Sequence, residues 1–100
     1  MKLFISQPMR DKTNEEIEET RQNAIRLTSE FLGGEEVEVI DSFFKDAPHD
    51  AKPLWFLGKS FELLAEADIV FFAKDWDKYR GCRLEHKACI EYGIPKIYEE

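Results

Sequence analysis

Long apolar runs are missing from this sequence, and none approaches the roughly 20 residues that a helix needs to cross a bilayer. The opening residues also lack the basic-then-apolar pattern of a signal peptide, so a cytoplasmic location is expected. Basic charge is in deficit. Fourteen Lys and Arg stand against twenty-one Asp and Glu, a formal net charge of -7. That balance repels phosphate backbones and anionic bilayers, so neither a nucleic-acid polymer nor a membrane is an expected partner. It does not exclude a small anionic ligand, because a few aimed donors hold one phosphate locally. Cysteine is scarce, and Cys82 and Cys89 stand seven positions apart in one predicted helix. About 10 Å of helix axis separates them, beyond disulfide reach, and both are expected as reduced thiols. Repeats, linkers and low-complexity stretches are absent too, so residues 1–100 are read as one domain, for which 43% hydrophobic content supplies a core.

The remaining pattern alternates between strand and helix. Leu3, Phe4 and Ile5 form a short apolar run that Ser6, Gln7 and Pro8 end, the first predicted strand. Thr13 and Glu16 have capping-box spacing, and Ile17, Ala24, Leu27 and Phe31 keep one face of the following helix apolar until Gly33 and Gly34 stop it. Val37, Val39 and Ile40 make a second strand ending at Asp41 and Ser42, and 43–52 reads as a loop. Pro53 opens a helix in which Leu54, Leu57, Phe61 and Leu64 would cover the sheet. A second apolar line, Trp55, Phe56 and Leu63, is either a thick core stripe or a surface buried by a second subunit. Ile69, Val70, Phe71, Phe72 and Ala73 are unbroken, as in a central parallel strand covered on both faces. A last helix runs to Tyr92, Gly93 closes it, and Pro95, Lys96, Ile97 and Tyr98 form an edge strand. The expected fold is α/β, a small, Rossmann-like, doubly wound parallel sheet of about four strands with helices on both faces. Ligands of such sheets bind beyond the carboxyl ends of the strands. That rule gathers Ser6, Gln7, Pro8, Met9 and Arg10, then Asp41 and Ser42, then 75–81, around one crevice.

Within the last helix Cys82, Glu85, Cys89 and Tyr92 share the inward face, so a carboxylate interrupts an apolar stripe. Burying an ionised Glu is costly unless it is paired, which makes Glu85 the leading candidate for chemistry. The helix N-terminus favours its carboxylate form. The alternative is a Glu turned sideways to pair with Arg83, Lys87 or the loop. Gly81 would allow close approach to the first helical turn, Arg10 and Arg80 could contact phosphate, and Trp76 and Tyr79 could stack on a base or simply pack. Cys82, His86 and Cys89 recur at helical spacing, yet a zinc site wants a fourth ligand and closely spaced loop cysteines; no metal and no cofactor are expected.

The stretch Ala67, Asp68, Ile69, Val70, Phe71, Phe72, Ala73, followed by Gly81 and Glu85, resembles the nucleoside 2-deoxyribosyltransferase-like family. The opening Phe4, Ile5, Ser6, Gln7, Pro8, Met9, Arg10 is similar to that family's first strand and loop, and most of all to a small branch found in bacteria and their phages. The resemblance implies a Glu nucleophile at position 85 that attacks the anomeric carbon of a deoxyribosyl group and displaces the base. It also implies a nucleoside or nucleotide substrate and a homo-oligomer, dimer or larger; with the crevice rule, the residues expected to hold that substrate are Ser6, Gln7, Pro8, Met9, Arg10, Ser42, Ser60, Trp76, Tyr79, Arg80 and Gly81. Two positions depart from the family pattern: Ser60 stands where an acid is used, and Phe4 where a tyrosine is used. Asp75 or Asp77 could supply the missing carboxylate. The function expected on this basis is transfer or hydrolysis of an N-glycosyl bond, with a catalytically silent nucleotide-binding module and a structural interaction protein as alternatives.

Overall fold

A computed structural model describes residues 1–41 and 47–99. The order is β1 (Lys2–Ser6), α1 (Asn14–Phe31), β2 (Glu38–Val39), α2 (Pro53–Leu64), β3 (Ile69–Phe72), a 3-10 turn at Trp76–Lys78, α3 (Arg80–Tyr92) and β4 (Lys96–Tyr98). The four strands form one wholly parallel sheet in the order β2-β1-β3-β4. The chain steps one way from β1 to β2 and then back across β1 to β3, so the switch point lies between β1 and β3. Right-handed crossovers then require α1 on one face and α2 with α3 on the other. The packing agrees. Leu3, Ile5, Ile69 and Phe71 meet α1 through Ala24 and Leu27, whereas Phe4, Val70 and Phe72 meet Leu63, Leu64, Ala88 and Cys89.

Local chemistry fixes the ends. Thr13 and Glu16 complete both bonds of the capping box, at 3.1 and 3.2 Å. Gly33 and Gly93 follow α1 and α3 with φ of 73° and 67°, the left-handed conformation in which glycine has no Cβ penalty. β3 is the buried centre, with no residue more than 2% exposed. Asp68 ties its start to β1: the Lys2 amide donates to its carboxylate at 2.7 Å, and its own amide donates to the Lys2 carbonyl. Among the described residues no helix is long and apolar enough to cross a membrane.

Four residues expected on buried stripes are exposed instead. Phe31, Leu54, Phe61 and Tyr92 all lie at the surface. The reason is length. The 18 residues of α1 extend about 27 Å, whereas the five residues of β1 extend about 17 Å, so helix ends overhang the sheet they cover. α2 is fully buried only at Leu64, and in its first two turns Trp55, Leu57 and Ser60 are half-buried while Leu54 and Phe56 are exposed.

Candidate active site

Alternation along β1 turns Phe4 and Ser6 toward α2 and α3, and the register sets Ser6 opposite Phe72 on the last rung beside β3. Glu85, just past the first turn of α3, reaches the same point. The Ser6 hydroxyl donates to Glu85 Oε1 at 2.6 Å, and both residues are buried. That is short for an O–H···O hydrogen bond. Ser60 of α2 supplies a second hydroxyl to the same carboxyl, and the Cys82 thiol lies within hydrogen-bond reach of Ser6. Burial outweighs the two hydroxyls and raises the pKa of Glu85. The helix N-terminus therefore does not give Glu85 an unusually acidic carboxyl; desolvation dominates. Burial likewise pushes the Cys82 thiol up to about 11, which keeps it neutral.

Glu85 lies against a cleft of about 740 Å³ between the first two turns of α2 and of α3. Both helices run back from the carboxyl edge of the sheet, so the cleft opens where a doubly wound fold binds ligands. Leu54, Phe56, Leu57 and Leu84 make its wall apolar, Ser60 and Gly81 lie along it, and Lys52 and Arg80 carry its positive charge. Glu85 is the one carboxyl among the described residues that line it. A Cβ built on Gly81 meets no atom within 4 Å, so that wall is open backbone.

The chain matches no protein-family model, no curated protein and no solved structure. The chemistry of the cleft therefore rests on its own residues.

The single crevice expected from strand ends is divided. Ser60, Arg80, Gly81 and Glu85 come together in the cleft, but Ser6 lies behind Glu85, too buried to touch a ligand. The chain after β1 turns toward α1. Gln7 and Met9 line a hollow of about 220 Å³ with Asp41, and Gln7 and Pro8 line another of about 140 Å³ with Lys74 and Asp75. Arg10 is exposed and lines neither hollow nor the cleft. Asp75 does not complete a carboxylate pair with Glu85: its backbone is left-handed, with φ 67°, and its side chain pairs with Lys78 at 3.2 Å. Asp77 is exposed, lies outside the cleft, and offers its backbone carbonyl to Arg83. Ser42 lies outside the described residues.

Trp76 packs rather than waiting for a base. Its ring stacks on His86 at 4.1 Å and packs beside Phe72, while His86 Nε2 lies 2.7 Å from the Tyr98 hydroxyl. Tyr79 caps α3 through its backbone and does not line the cleft. His86 is thus held in an aromatic cluster away from Cys82, and among the described residues no group of three or more His, Cys, Asp or Glu side chains converges to hold a metal ion. Arg83 and Lys87, the sideways partners considered for Glu85, bond to Asp77 and Glu91 instead. Sequence reasoning missed Lys52, Leu54, Phe56 and Leu84 as cleft residues. An apolar position beside an expected stripe gives no sign of whether it faces core, partner or ligand.

Proposed function

We propose that this chain is a nucleoside or nucleotide N-glycosyl bond enzyme in which Glu85 is the nucleophile. The observation that carries the reading is the buried, hydroxyl-held carboxyl of Glu85 against an apolar cleft at the carboxyl edge of the sheet. A desolvated carboxylate is a stronger nucleophile than a hydrated one, and it is well matched to an oxocarbenium-like carbon. In the first step a Glu85 oxygen bonds to the anomeric carbon as the carbon–nitrogen bond breaks. The electron pair leaves with the base, which takes its proton from water. In the second step water, or the nitrogen of an acceptor base, displaces Glu85 from the sugar. The first outcome is hydrolysis and the second is transfer.

The apolar wall suits a base and a deoxyribose, and Lys52 and Arg80, which form no ion pair with a described residue, suit a 5′-phosphate. We take the enzyme to act in the cytoplasm, where the thiols of Cys82 and Cys89 stay reduced, and as a homo-oligomer. Exposed Phe61 and half-buried Trp55 of α2, which do not line the cleft, are the surface a second copy would cover.

A silent nucleotide-binding module is the second reading. Ser60, where the resemblance implies an acid, donates to Glu85, and no other carboxyl among the described residues lines the cleft. One experiment separates the two. Purified protein is incubated with deoxynucleosides and their 5′-monophosphates, with and without an acceptor base, and free base is followed by chromatography. The enzyme reading expects base release that falls about 10³-fold or more in Glu85→Ala while ligand binding persists. Saturable binding of the same ligands with no base release would leave the module as the function.

A further inference from the structure

Ser6 is not placed to serve a ligand. It is 1% exposed, its hydroxyl donates to Glu85 Oε1 at 2.6 Å, and its carbonyl accepts the Ala73 amide at 2.9 Å. Both its side chain and its backbone are engaged. The hydroxyl is mounted on the last rung of the central strand pair rather than on a loop, which is the most rigid support this fold offers. Behind it lies the neutral thiol of Cys82. The Ser6 hydroxyl proton is directed to Glu85 Oε1.

We propose that Ser6 is a positioning residue for Glu85: from the end of β1 it fixes Oε1, favours the carboxylate over the acid, and leaves the second oxygen to act in the cleft. The assignment rests on the reading of Glu85 as the nucleophile. It gives Ser6 a role distinct from substrate contact, and it supplies the Glu85 carboxyl with a donor where no cation among the described residues pairs with it. Among the described residues the ionisable groups around Glu85 are Cys82 and Cys89 on its own helix, with Arg80 at the helix start and Lys52 across the cleft; the strands contribute Ser6 and apolar side chains. Of these groups Ser6 alone has a short bond fixed by strand register.

The test reads the carboxyl itself. In the full chain labelled with ¹³C at Glu carboxyls, the Glu85 signal is assigned by its loss in Glu85→Gln and followed through a pH titration. Ser6→Ala is expected to move the Glu85 transition to higher pH, because the neutral acid no longer competes with a hydrogen-bonded carboxylate. Ser6→Thr, which keeps the hydroxyl, is expected to restore it. Turnover of the best substrate should fall about tenfold in Ser6→Ala with KM unchanged, and the acidic limb of its pH profile should move the same way. Should Ser6→Ala fail to fold, Ser6→Cys carries the same test with a weaker donor in nearly the same space. An unmoved transition in the substituted protein overturns the proposal, as does a Ser6→Thr protein that behaves like Ser6→Ala. Absence of turnover in the wild type removes the enzyme reading instead, and the titration still decides whether Ser6 sets the state of Glu85.

Discussion

The two faces of the sheet are made from alternate residues of the same strands, yet over the central strands one is closed by a single helix, with hollows only at its margins, and the other opens between two helices. Toward α1, Leu3, Ile5, Ile69 and Phe71 meet a single helix lying across them, and the buried polar side chain on that helix is Thr28, whose hydroxyl has no partner. Toward α2 and α3 the strands offer Phe4, Val70 and Phe72 along most of their length and Ser6 at the end. There two helices share the cover. Their first turns stand apart, and the gap is the cleft. The larger sealed core and the cleft thus lie on opposite faces.

Substitutions on each face can break that division or sharpen it. The largest effect on stability is expected at Phe71→Ala, which empties a fully buried site on the closed face and should cost about 3–5 kcal/mol in denaturant unfolding. A cost near that of a surface change would show that the closed face does not hold the fold. A smaller effect, opposite in sign, is expected on the open face. Glu85 has a folded-state pKa raised by burial, so its penalty is present at neutral pH and is relieved as pH falls toward the ordinary carboxyl value of 4.5. Glu85→Gln should therefore be the more stable protein at pH 7, with the gap to wild type narrowing as the pH is lowered. A gap independent of pH would mean that Glu85 is not buried as a charge. Smallest is Gly81→Ala, expected to add about 0.5–1 kcal/mol because glycine is a poor helix residue, while narrowing the cleft and weakening ligand binding. Unchanged binding there would move the ligand away from the α3 wall.

The closed face was the more legible of the two in the sequence. Unbroken Ile69, Val70, Phe71, Phe72 marks a strand covered on both sides, Thr13 with Glu16 marks a helix start, and alternation of elements gives the parallel sheet. Glu85 was legible for a related reason, since a carboxylate at the position of an apolar repeat has to be explained by what surrounds it. The other candidates at the strand ends lie outside the cleft. Chain order shows that Gln7, Pro8, Met9, Asp75 and Trp76 follow β1 and β3, but not toward which face each loop folds. Here the loop after β1 turns to the α1 side, and Trp76 folds down onto Phe72. Nor does periodicity reveal where a helix runs past its sheet, which is why Leu54 and Tyr92 read as core and stand in solvent.

The strand order also sets a schedule for synthesis. β1 leaves the ribosome first and lies between β2 and β3, so it keeps one edge unpaired until residue 72 has followed. Ser6 waits longer still, because its partner Glu85 is 79 positions away. Contacts this distant form late and slowly. A chain halted before α3 would carry one wall of the cleft and no carboxylate in it, so the cleft as a whole exists only once the fold is complete.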